Sequence, residues 1–441
     1  MLLSRALRIH PGQIVAFTGA GGKTSAIHRI AAELRPTLIT TTTHLGLEQA
    51  GLALHHLVDP GPADLQRIPE YLEQQGTVLV TGPLLEGEGK WTSPGDQVLE
   101  FLVEIASKEG APLLIEADGA RGRSLKAPAE HEPVVPSFAD LVVPMAGLDA
   151  LEKPIHSDWV HRPDRVALIL AADDSAILGT REIAQLLASP EGGLKGVPRG
   201  AQVRVLLNKV EPQRLDAGRE IAGLLLDTPP IQAVVLASLV GEDPVHEVHG
   251  RVAAVVLAAG GSARLGEPKQ LVEWRGRPLV WHAVRAAREG GLTPVVVVLG
   301  AAADRVRGSL VGESVNIVEN PAWREGQSSS VHVGLKQVES SAEAVIFLLA
   351  DQPFVGADLV QALVERHRQT SSPLVAPRAG GRRANPVLFD QVTFAELRGL
   401  EGDRGGRSLF EQFDCEWIEW GDSILLDVDT PSDLAKLRSL E

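Results

Sequence analysis

The chain has 441 residues, 44% of them hydrophobic and 22% charged, so it is long enough for two or three cores and too apolar to be disordered. Its net charge of −15 argues against a general nucleic-acid or anionic-membrane surface, because the mean field repels polyphosphates. The single cysteine, Cys415, excludes an internal disulfide and a cysteine-only metal cluster. No segment approaches the ~18 to 20 apolar residues that span a bilayer. We therefore expect a cytoplasmic protein with no nucleic-acid or membrane partner.

The first motif in the chain is a glycine-rich loop between a strand and a helix. GQIVAF predicts the strand, TGAGGKTS the loop and AIHRIAAEL the helix, an order typical of phosphate-binding loops. Phe17 stands where the full Walker pattern has glycine. Lys23 would reach the outer phosphates of ATP or GTP, and the Thr24 hydroxyl would bind Mg²⁺. The candidate residues are Gly19, Gly21, Gly22, Lys23 and Thr24. The alternative is a glycine turn that only caps a helix.

Two further strands are predicted to end in polar side chains. PLLIEADGA predicts a buried strand that delivers Glu116 and Asp118 at its carboxyl end, where ligands bind in open α/β sheets. One of these carboxylates could hold Mg²⁺. VRVLLNKVE places Asn208 and Lys209 at another strand end, in a pattern that resembles the guanine-reading motif of GTPases. Motifs of four residues arise by chance, so this one is weak by itself.

Several segments of the first half resemble one family when they are taken in order. They are GAGGKTS, TTTTHL, EADGARGRSLKAPAEHEP, SPEGGLKGVP and LLNK, and they are similar to the YqeC-like accessory proteins of selenium-dependent molybdenum hydroxylases. The likeness spans about residues 5 to 245. It implies a pathway, with a molybdenum hydroxylase as client, more than a reaction. The polar stretch GEDPVHEVHGR follows and is predicted to be a linker, so we predict a P-loop-like α/β domain over residues 1–246.

A second glycine-rich loop opens the remainder, which we predict to be a domain of residues 252–441. The apolar run from Val252 predicts a buried strand, and the small residues after it let backbone N–H groups approach an anion. Arg264 and Lys269 add two cations. Such an arrangement suits a nucleoside triphosphate, although an ordinary turn with two solvated cations has the same pattern. The residues of the turn are Ala259, Gly260, Gly261 and Ser262.

Strands and helices alternate through this second part, which predicts a mainly parallel, Rossmann-like sheet with helices on both faces. AVIFLLADQP delivers Asp351 to a strand end, where its carboxylate would face a cleft. ILLDVDTPSDL places Asp427 and Asp429 two apart on a predicted strand, hence on one face, as a source of a second metal-binding carboxylate. The predicted fold class is therefore α/β, in two domains.

The string LAAGGSARLGEPKQLVEWRGRPLV resembles the signature of the nucleotidyltransferases, and among them that of the molybdenum cofactor cytidylyltransferases. The resemblance implies that Asp351 binds Mg²⁺ and favours Asp429 over Asp427 as a second ligand. GQSSSVHVGL, GGRRANPVLF and GDRGGRSLF match further parts of that family's pattern. The nucleotide and acceptor contacts that they imply are Ser328, Ser329, Ser330, Asn385, Asp403 and Arg407.

The reaction implied by the resemblance is attack by the terminal phosphate of molybdopterin on the α-phosphorus of CTP, with release of pyrophosphate. A phosphate monoester has its second pKa near ~6, so the nucleophile is already ionised and needs no general base. Arg264 and Lys269, with Mg²⁺ on the carboxylates, would screen the repulsion between the two anions. The choice of CTP over GTP rests on resemblance alone, through Ala259. The alternatives are guanylyl or other nucleotidyl transfer to a small phosphate, and a molybdenum cofactor chaperone without turnover.

Overall fold

The computed structural model describes residues 1–51, 55–173, 175–262, 264–403 and 406–440. The chain divides into two compact units, Met1–His249 and Gly250–Glu441. Both are α/β with mostly parallel sheets, as the alternation of strand and helix patterns predicted. Within the described ranges, no helix combines the length and the apolar character needed to cross a bilayer.

The first unit is organised around one large sheet. Its strands are β1 (Ile14–Gly19), β2 (Thr37–Thr41), β3 (His44–Gly46), β4 (His55–Val58), β5 (Thr77–Thr81), β6 (Leu84–Leu85), β7 (Lys90–Thr92), β8 (Leu113–Glu116), β9 (Leu125–Lys126), β10 (Leu141–Gly147), β11 (Val160–His161), β12 (Gln202–Asn208), β13 (Ile231–Ala237) and β14 (Val245–Gly250). Nine of them form a sheet in the order β14-β13-β12-β10-β1-β8-β2-β5-β4. Every neighbouring pair from β13 to β4 is parallel, so the carboxyl ends of these strands lie along one edge.

Helices connect the strands of the first unit. They are α1 (Leu3–Ala6), α2 (Lys23–Glu33), α3 (Leu47–Ala50), α4 (Pro62–Gln66), α5 (Ile68–Gln75), α6 (Asp96–Glu109), α7 (Pro163–Leu170), α8 (Thr180–Ala188) and α9 (Leu215–Leu226). Phe17 is fully buried on β1 in the same hydrophobic cluster as Ile27 and Ile30 of α2. Burial of such a side chain contributes roughly 2 kcal/mol, so the residue that replaces the Walker glycine is a core residue.

The segment predicted to be a polar linker contains a strand. β14 joins the edge of the nine-stranded sheet beside β13. Its residues Val245 and Val248 are buried in the same cluster as β1, and Glu247 is buried beside Arg219 of α9. Val245 and Val248 are three positions apart, so VHEVHG lacks the strict alternation that predicts a strand, and the glycine and proline before it indicated a loop.

The second unit has a second sheet with a mixed edge. Its strands are β15 (Val252–Ala258), β16 (Glu273–Trp274), β17 (Arg277–Pro278), β18 (Val295–Leu299), β19 (Asn316–Glu319), β20 (Ala344–Leu349), β21 (Leu374–Ala379), β22 (Arg382–Arg383), β23 (Val387–Asp390) and β24 (Cys415–Trp420). The sheet order is β19-β18-β15-β20-β23-β21-β22, and β24 also pairs with β21. The pairs from β19 to β20 are parallel, whereas β23 is antiparallel to both of its neighbours.

Helices cover this sheet on both faces. They are α10 (Leu279–Glu289), α11 (Ala303–Ser309), α12 (Gln327–Lys336), α13 (Ala357–Thr370), α14 (Phe394–Arg398) and α15 (Pro431–Arg438). Alternate residues of β15 enter two different clusters, with Ala254 and Val256 in one and Ala253 and Val255 in the other. A strand buried on both faces reads as a continuous apolar run, which is why its pattern was clear in the sequence.

One predicted strand of the second unit is wrong. Asp427 and Asp429 lie in a loop that follows a short 3₁₀ helix, Asp422–Leu425, and precedes α15. The N–H of Val428 donates to the carbonyl of Asp351, which ties this loop to the end of β20. The apolar run ILL predicted a strand because a short apolar run does not by itself distinguish a strand from other buried segments.

Candidate functional sites

A cavity of about 800 Å³ lies at the carboxyl ends of β15 and β20, and we call it the second-unit cavity. The predicted residues that line it are Ala259, Gly260, Gly261, Arg264, Lys269, Ser330, Asp351, Asp403 and Asp429. They come from five separate parts of the chain. The fold thus brings the glycine turn, both predicted cations and two predicted carboxylates to one cleft, the position that ligands take in open α/β sheets.

Lys269 lies in the wall of the second-unit cavity, between two carboxylates. Its ammonium donates to Oδ2 of Asp351 and, at 2.8 Å, to Oδ1 of Asp429. Burial opposes the charged form, but the Asp351 carboxylate and then that of Asp429 raise the pKa of Lys269 above its ordinary value. A charged ammonium therefore bridges two carboxylates that approach from separate loops.

The glycine turn is tied to this lysine through its backbone. Oγ of Ser262 accepts the N–H of Lys269 at 2.9 Å, so Ser262 organises the loop, and it is not among the residues that line the cavity. Nη2 of Arg264 lies 3.3 Å from Oδ2 of Asp429, and its side chain is 73% exposed. Such an exposed pair is weak, which leaves the guanidinium able to turn toward an anion.

Three of the predicted contact residues point elsewhere. Successive residues of a helix are rotated by about 100°, so the three serines of α12 cannot share a face. Ser330 lines the cavity, Ser329 donates to the carbonyl of Gly326 at 2.8 Å, and Ser328 is buried outside the lining. Asp427 accepts from Nε2 of Gln352 at 2.7 Å and does not line the cavity. Burial raises its pKa, and the Gln352 hydrogen bond opposes this rise.

Of the three residues predicted on the acceptor side, one lines the second-unit cavity and two do not. Asp403 lines the second-unit cavity, and its Oδ1 accepts the N–H of Gln327 at the start of α12. Asn385 is exposed and is absent from the lining. Arg407 lies in a separate cavity of about 670 Å³ with Arg383 and Phe410. The GDRGGRSLF motif that carried the Arg407 prediction includes residues 404 and 405, which lie outside the described residues.

Two of the lining residues that the sequence did not indicate, Trp323 and Gln270, contact the glycine turn. A Cβ on Gly261 would lie 3.0 Å from the ring of Trp323, so this aromatic residue packs directly on the glycine turn. Gln270 is buried and donates from Nε2 to the carbonyls of Ala258 and Gly260, which fixes the turn. The only available signal for Trp323 was a large aromatic residue in the polar segment ENPAWREG.

A cavity of about 500 Å³ lies beside the glycine loop of the first unit, and we call it the first-unit cavity. The predicted residues that line it are Gly21, Gly22, Lys23, Thr24, Glu116 and Lys209. β1 and β8 are neighbours with Phe17 opposite Glu116, so the acidic strand end lies next to the loop. Oγ1 of Thr24 donates to Oε2 of Glu116 at 2.9 Å. Burial raises the pKa of Glu116, and the nearby Lys23 ammonium opposes the rise.

Two other predicted residues of the first unit, Asp118 and Asn208, contact the glycine loop without lining the cavity. Asp118 pairs with the ammonium groups of Lys23 at 3.1 Å and Lys126 at 2.9 Å, and it accepts the N–H of Gly19. Asp118 therefore neutralises lysines and does not face the cavity. The Nδ2 group of Asn208 donates to the carbonyl of Gly21 at 2.7 Å, and its Oδ1 accepts the N–H of Leu239. Asn208 thus joins the loop to the ends of β12 and β13.

Arg162 and Glu132 form a charged wall of the first-unit cavity, and the sequence did not indicate this pair. Nη1 and Nη2 of Arg162 donate to the carboxylate of Glu132 at 2.8 and 3.0 Å, and Lys126 also pairs with Glu132. Burial opposes ionisation, but the hydrogen bonds from Arg162 and Lys126 lower the pKa of Glu132 to about 2. Burial and then the charge of Arg162 lower the pKa of His161 to about 4, so this imidazole is neutral at neutral pH.

Comparisons with known proteins match a different family to each of the two compact units. The YqeC family matches residues 15–164, and the MobA-like NTP transferase domain matches residues 254–416. YqeC of Escherichia coli (strain K12) is 30% identical over 205 residues, which are 44% of this chain and 75% of that protein. Nicotine blue oxidoreductase of Paenarthrobacter nicotinovorans is 33% identical over 201 residues, 42% of this chain and 96% of that protein. The chain belongs to both families.

The MobA-like unit is a nucleotidyltransferase. The solved structure of Rv0371c from Mycobacterium tuberculosis H37Rv is 29% identical and covers 43% of this chain and 98% of its own, with a TM-score of 0.40. The matched range of the MobA-like domain contains the glycine turn, Lys269 and Asp351 and ends before Asp429. The YqeC match likewise contains the first glycine loop and Glu116 and ends before Asn208.

Proposed function

We propose that the MobA-like unit transfers CMP from CTP to the terminal phosphate of molybdopterin, with release of pyrophosphate, for the maturation of a molybdenum hydroxylase. The observation that carries the proposal is the Lys269 ammonium between Asp351 and Asp429, beside the glycine turn. A transferase that joins two phosphates needs cations and oxygen ligands at one place, and this constellation supplies both.

The two carboxylates fit a divalent cation such as Mg²⁺. They already share one cation, the ammonium of Lys269, and carboxylate oxygens are the ligands that Mg²⁺ takes. Within the described residues, no group of three or more His, Cys, Asp and Glu side chains could hold a metal. Asp351 and Asp429 would therefore supply two ligands, and phosphate and water oxygens the rest. When bound, Mg²⁺ would screen the negative charge of the triphosphate.

The chain's own groups would position the two substrates. The backbone of Gly260 and Gly261 faces the cavity and would receive the triphosphate. Lys269 is anchored to the turn through Ser262, so its ammonium stays beside the phosphates once it leaves the carboxylates. An oxygen of the molybdopterin phosphate would attack the α-phosphorus of CTP as the bond to the β-phosphate breaks, and pyrophosphate would leave. The attacking phosphate is already ionised, so no side chain needs to take a proton.

The acceptor and the base are inferred from different observations. Molybdopterin as acceptor is supported by the YqeC unit in the same chain, because of that family's resemblance to accessory proteins of molybdenum hydroxylases. CTP is supported only by the resemblance of the turn, through Ala259, to that of the cytidylyltransferases. The name of the Paenarthrobacter relative gives a different activity, that of an oxidoreductase, and such an activity would release no pyrophosphate.

The test is pyrophosphate release by the full chain with Mg²⁺, molybdopterin, and CTP, GTP or ATP in turn. We expect release with CTP and a loss of about 100-fold or more in Asp351→Ala, because a ligand of the Mg²⁺ that screens the phosphates is removed. Asp304→Asn is the matched control, since Asp304 is an exposed carboxylate on α11 away from the cavity. Release from none of the three triphosphates, or equal rates in the two variants, would contradict the proposal.

A further inference from the structure

We propose that the YqeC unit binds a nucleoside triphosphate with Mg²⁺ in the first-unit cavity, as a site separate from the one that transfers CMP. The cavity has about 500 Å³, within the roughly 300 to 1,000 Å³ of small-molecule sites. Its wall combines a glycine loop, the start of a helix, a buried lysine and a hydroxyl paired with a carboxylate. The proposal does not depend on the reaction of the MobA-like unit.

The glycine loop has a backbone that other residues cannot adopt. Gly21 has φ +86° and Gly22 has φ +119°. A Cβ on Gly21 would lie 2.3 Å from the backbone nitrogen of Gly147, and one on Gly22 would lie 2.8 Å from Nδ2 of Asn208. α2 then begins at Lys23, and no side chain caps it. The N–H groups of its first turn therefore face the cavity without a side-chain acceptor, as at phosphate-binding helix starts.

Thr24 and Glu116 form the part of the site that suits a metal. Both side chains line the cavity, and the Thr24 hydroxyl bonds to the buried Glu116 carboxylate at 2.9 Å. Nε2 of Gln49 also donates to the Thr24 hydroxyl oxygen, which fixes its position. A hydroxyl and a carboxylate next to a phosphate loop are the protein ligands of Mg²⁺ in triphosphate sites, where phosphate oxygens supply the others.

The charge of the wall identifies the ligand as a polyanion. Among the described residues, six cationic side chains and two carboxylates line the cavity, in a chain with a net charge of −15. Four of the six cations also pair with carboxylates, three of which lie outside the lining. The cations are Lys23, Lys90, Arg121, Arg123, Arg162 and Lys209. One phosphate next to a helix start would need one or two of them. A wall of this charge fits the several negative charges of a triphosphate.

Lys23 can turn to the ligand without leaving a buried charge alone. Its ammonium now donates to the carbonyl of Gly19 at 2.6 Å and pairs with Asp118. If Lys23 moves to a phosphate, Asp118 keeps Lys126 and the N–H of Gly19 as partners. An unpaired buried carboxylate would be strongly destabilising, and this arrangement avoids it.

The experiment measures triphosphate binding by titration calorimetry with the full chain carrying Asp351→Ala, so that the transferase cavity is impaired in every sample. The probes are ATP, GTP, CTP and inorganic tripolyphosphate, each with Mg²⁺ and with EDTA. We expect one nucleotide to bind with Mg²⁺ and affinity to fall about 10- to 100-fold in Lys23→Met, the effect of losing one charge-assisted hydrogen bond. Thr24→Ala should reduce the gain in affinity from Mg²⁺.

Two further variants make the result independent of folding. Lys108→Met is the matched control, because Lys108 is exposed on α6 and does not line the cavity. Arg121→Gln removes an exposed cation of the wall, so it should weaken binding severalfold without altering the packing. Equal affinity in Lys23→Met and Lys108→Met, or no binding by any probe, would overturn the proposal. If tripolyphosphate binds as tightly as the nucleotides, the site does not recognise the nucleoside, and that part of the proposal is overturned.

Pyrophosphate release separates this proposal from the proposed function. Lys108→Met in an otherwise unchanged chain should release pyrophosphate from CTP and molybdopterin at the unaltered rate. If no pyrophosphate is released by any variant, the transferase proposal fails, while the binding result with Lys23→Met still decides the first-unit site.

Discussion

Both units place a lysine beside a glycine-rich loop at the carboxyl end of a mostly parallel sheet, but they hold it in different ways. Lys23 is the first residue of α2, and its side chain is 4% exposed. Lys269 is 21% exposed and lies eight residues beyond Gly261, at the start of a short 3₁₀ helix. Lys23 pairs with an aspartate behind the loop, whereas Lys269 pairs with two aspartates inside its cavity.

The glycines of the two loops also differ in backbone conformation and in the space around them. Gly19, Gly21 and Gly22 all have positive φ, whereas Gly260 and Gly261 do not. A Cβ on Gly260 would meet nothing closer than Nε2 of Gln270 at 3.9 Å. The first loop is therefore a rigid cradle fixed by its own backbone. The second is an open turn whose charged groups come from segments 82 and 160 residues away from Lys269.

If both cavities bind phosphates as proposed, two similar sheets build a phosphate site in two different ways. The first unit fixes the loop and the helix start before any ligand arrives, which favours retention of the ligand. In the second unit, the Lys269 ammonium can leave its two aspartates for a phosphate. Group transfer needs a cation that follows the negative charge as it moves from one bond to another. Three changes in the chain test this contrast.

The largest effect is expected for Lys269→Met. We expect kcat for pyrophosphate release to fall about 100-fold, because a cation at the transferring phosphates is lost, with little change in Tm. Steady-state kinetics and thermal unfolding measure the two quantities. Lys336→Met is the control, since Lys336 is exposed at the end of α12. A large loss of Tm with unchanged kcat would show that Lys269 stabilises the fold and does not act in the transfer.

The second change compares Gly19→Ala with Gly260→Ala. A Cβ on Gly19 would lie 2.4 Å from the carbonyl oxygen of Met145, and its φ is +84°. We expect Gly19→Ala to lower the free energy of unfolding by about 1 to 3 kcal/mol. Gly260→Ala has room for its methyl group and should change this free energy by less than ~0.5 kcal/mol. Urea unfolding measures both. Similar losses in the two variants would remove the distinction between a fixed loop and an open one.

The smallest effect is expected for Glu132→Gln at the first-unit wall. The pKa of Glu132 is lowered to about 2 from an ordinary value of 4.5, with Arg162 and Lys126 as its cationic neighbours. A lowered carboxyl pKa stabilises the fold above pH 4.5, and this stabilisation is lost as pH falls toward 2. Glu132→Gln should therefore lower Tm by roughly 3 to 6 °C at pH 7, and the gap should close between pH 4.5 and 2.

Glu130→Gln is the control for this pH dependence, because Glu130 is exposed. Its Tm should follow that of the unaltered chain at every pH. A gap between Glu132→Gln and the unaltered chain that stays constant from pH 7 to pH 3 would mean that the Glu132 carboxylate is not stabilised by its charge.

The sequence predicted the parts of the sites that are contiguous in the chain. The glycine loops, Lys23, Thr24 and Asp351 each follow or end a strongly apolar strand, so their place at the carboxyl edge followed from strand patterns. The fold class followed from the same alternation of strands and helices.

The sequence did not predict which side chains pair across the fold. Asp118 binds lysines behind the loop, Asn208 fixes the loop from a distant strand, and the Glu132 and Arg162 pair joins two loops. Trp323 packs on the second turn from another segment. These contacts depend on three-dimensional distances between residues far apart in the chain, and spacing in one sequence contains no information about such distances.

β14 determines how the chain can be cut for expression of its parts. It ends at Gly250 and β15 begins at Val252, so Arg251 is the whole connection between two sheets. A truncation inside GEDP, where the sequence suggested a linker, would strip β14 from the first sheet and expose the apolar edge of β13. An uncovered strand edge pairs with other chains and promotes aggregation. A recombinant first half should therefore retain every residue up to Gly250.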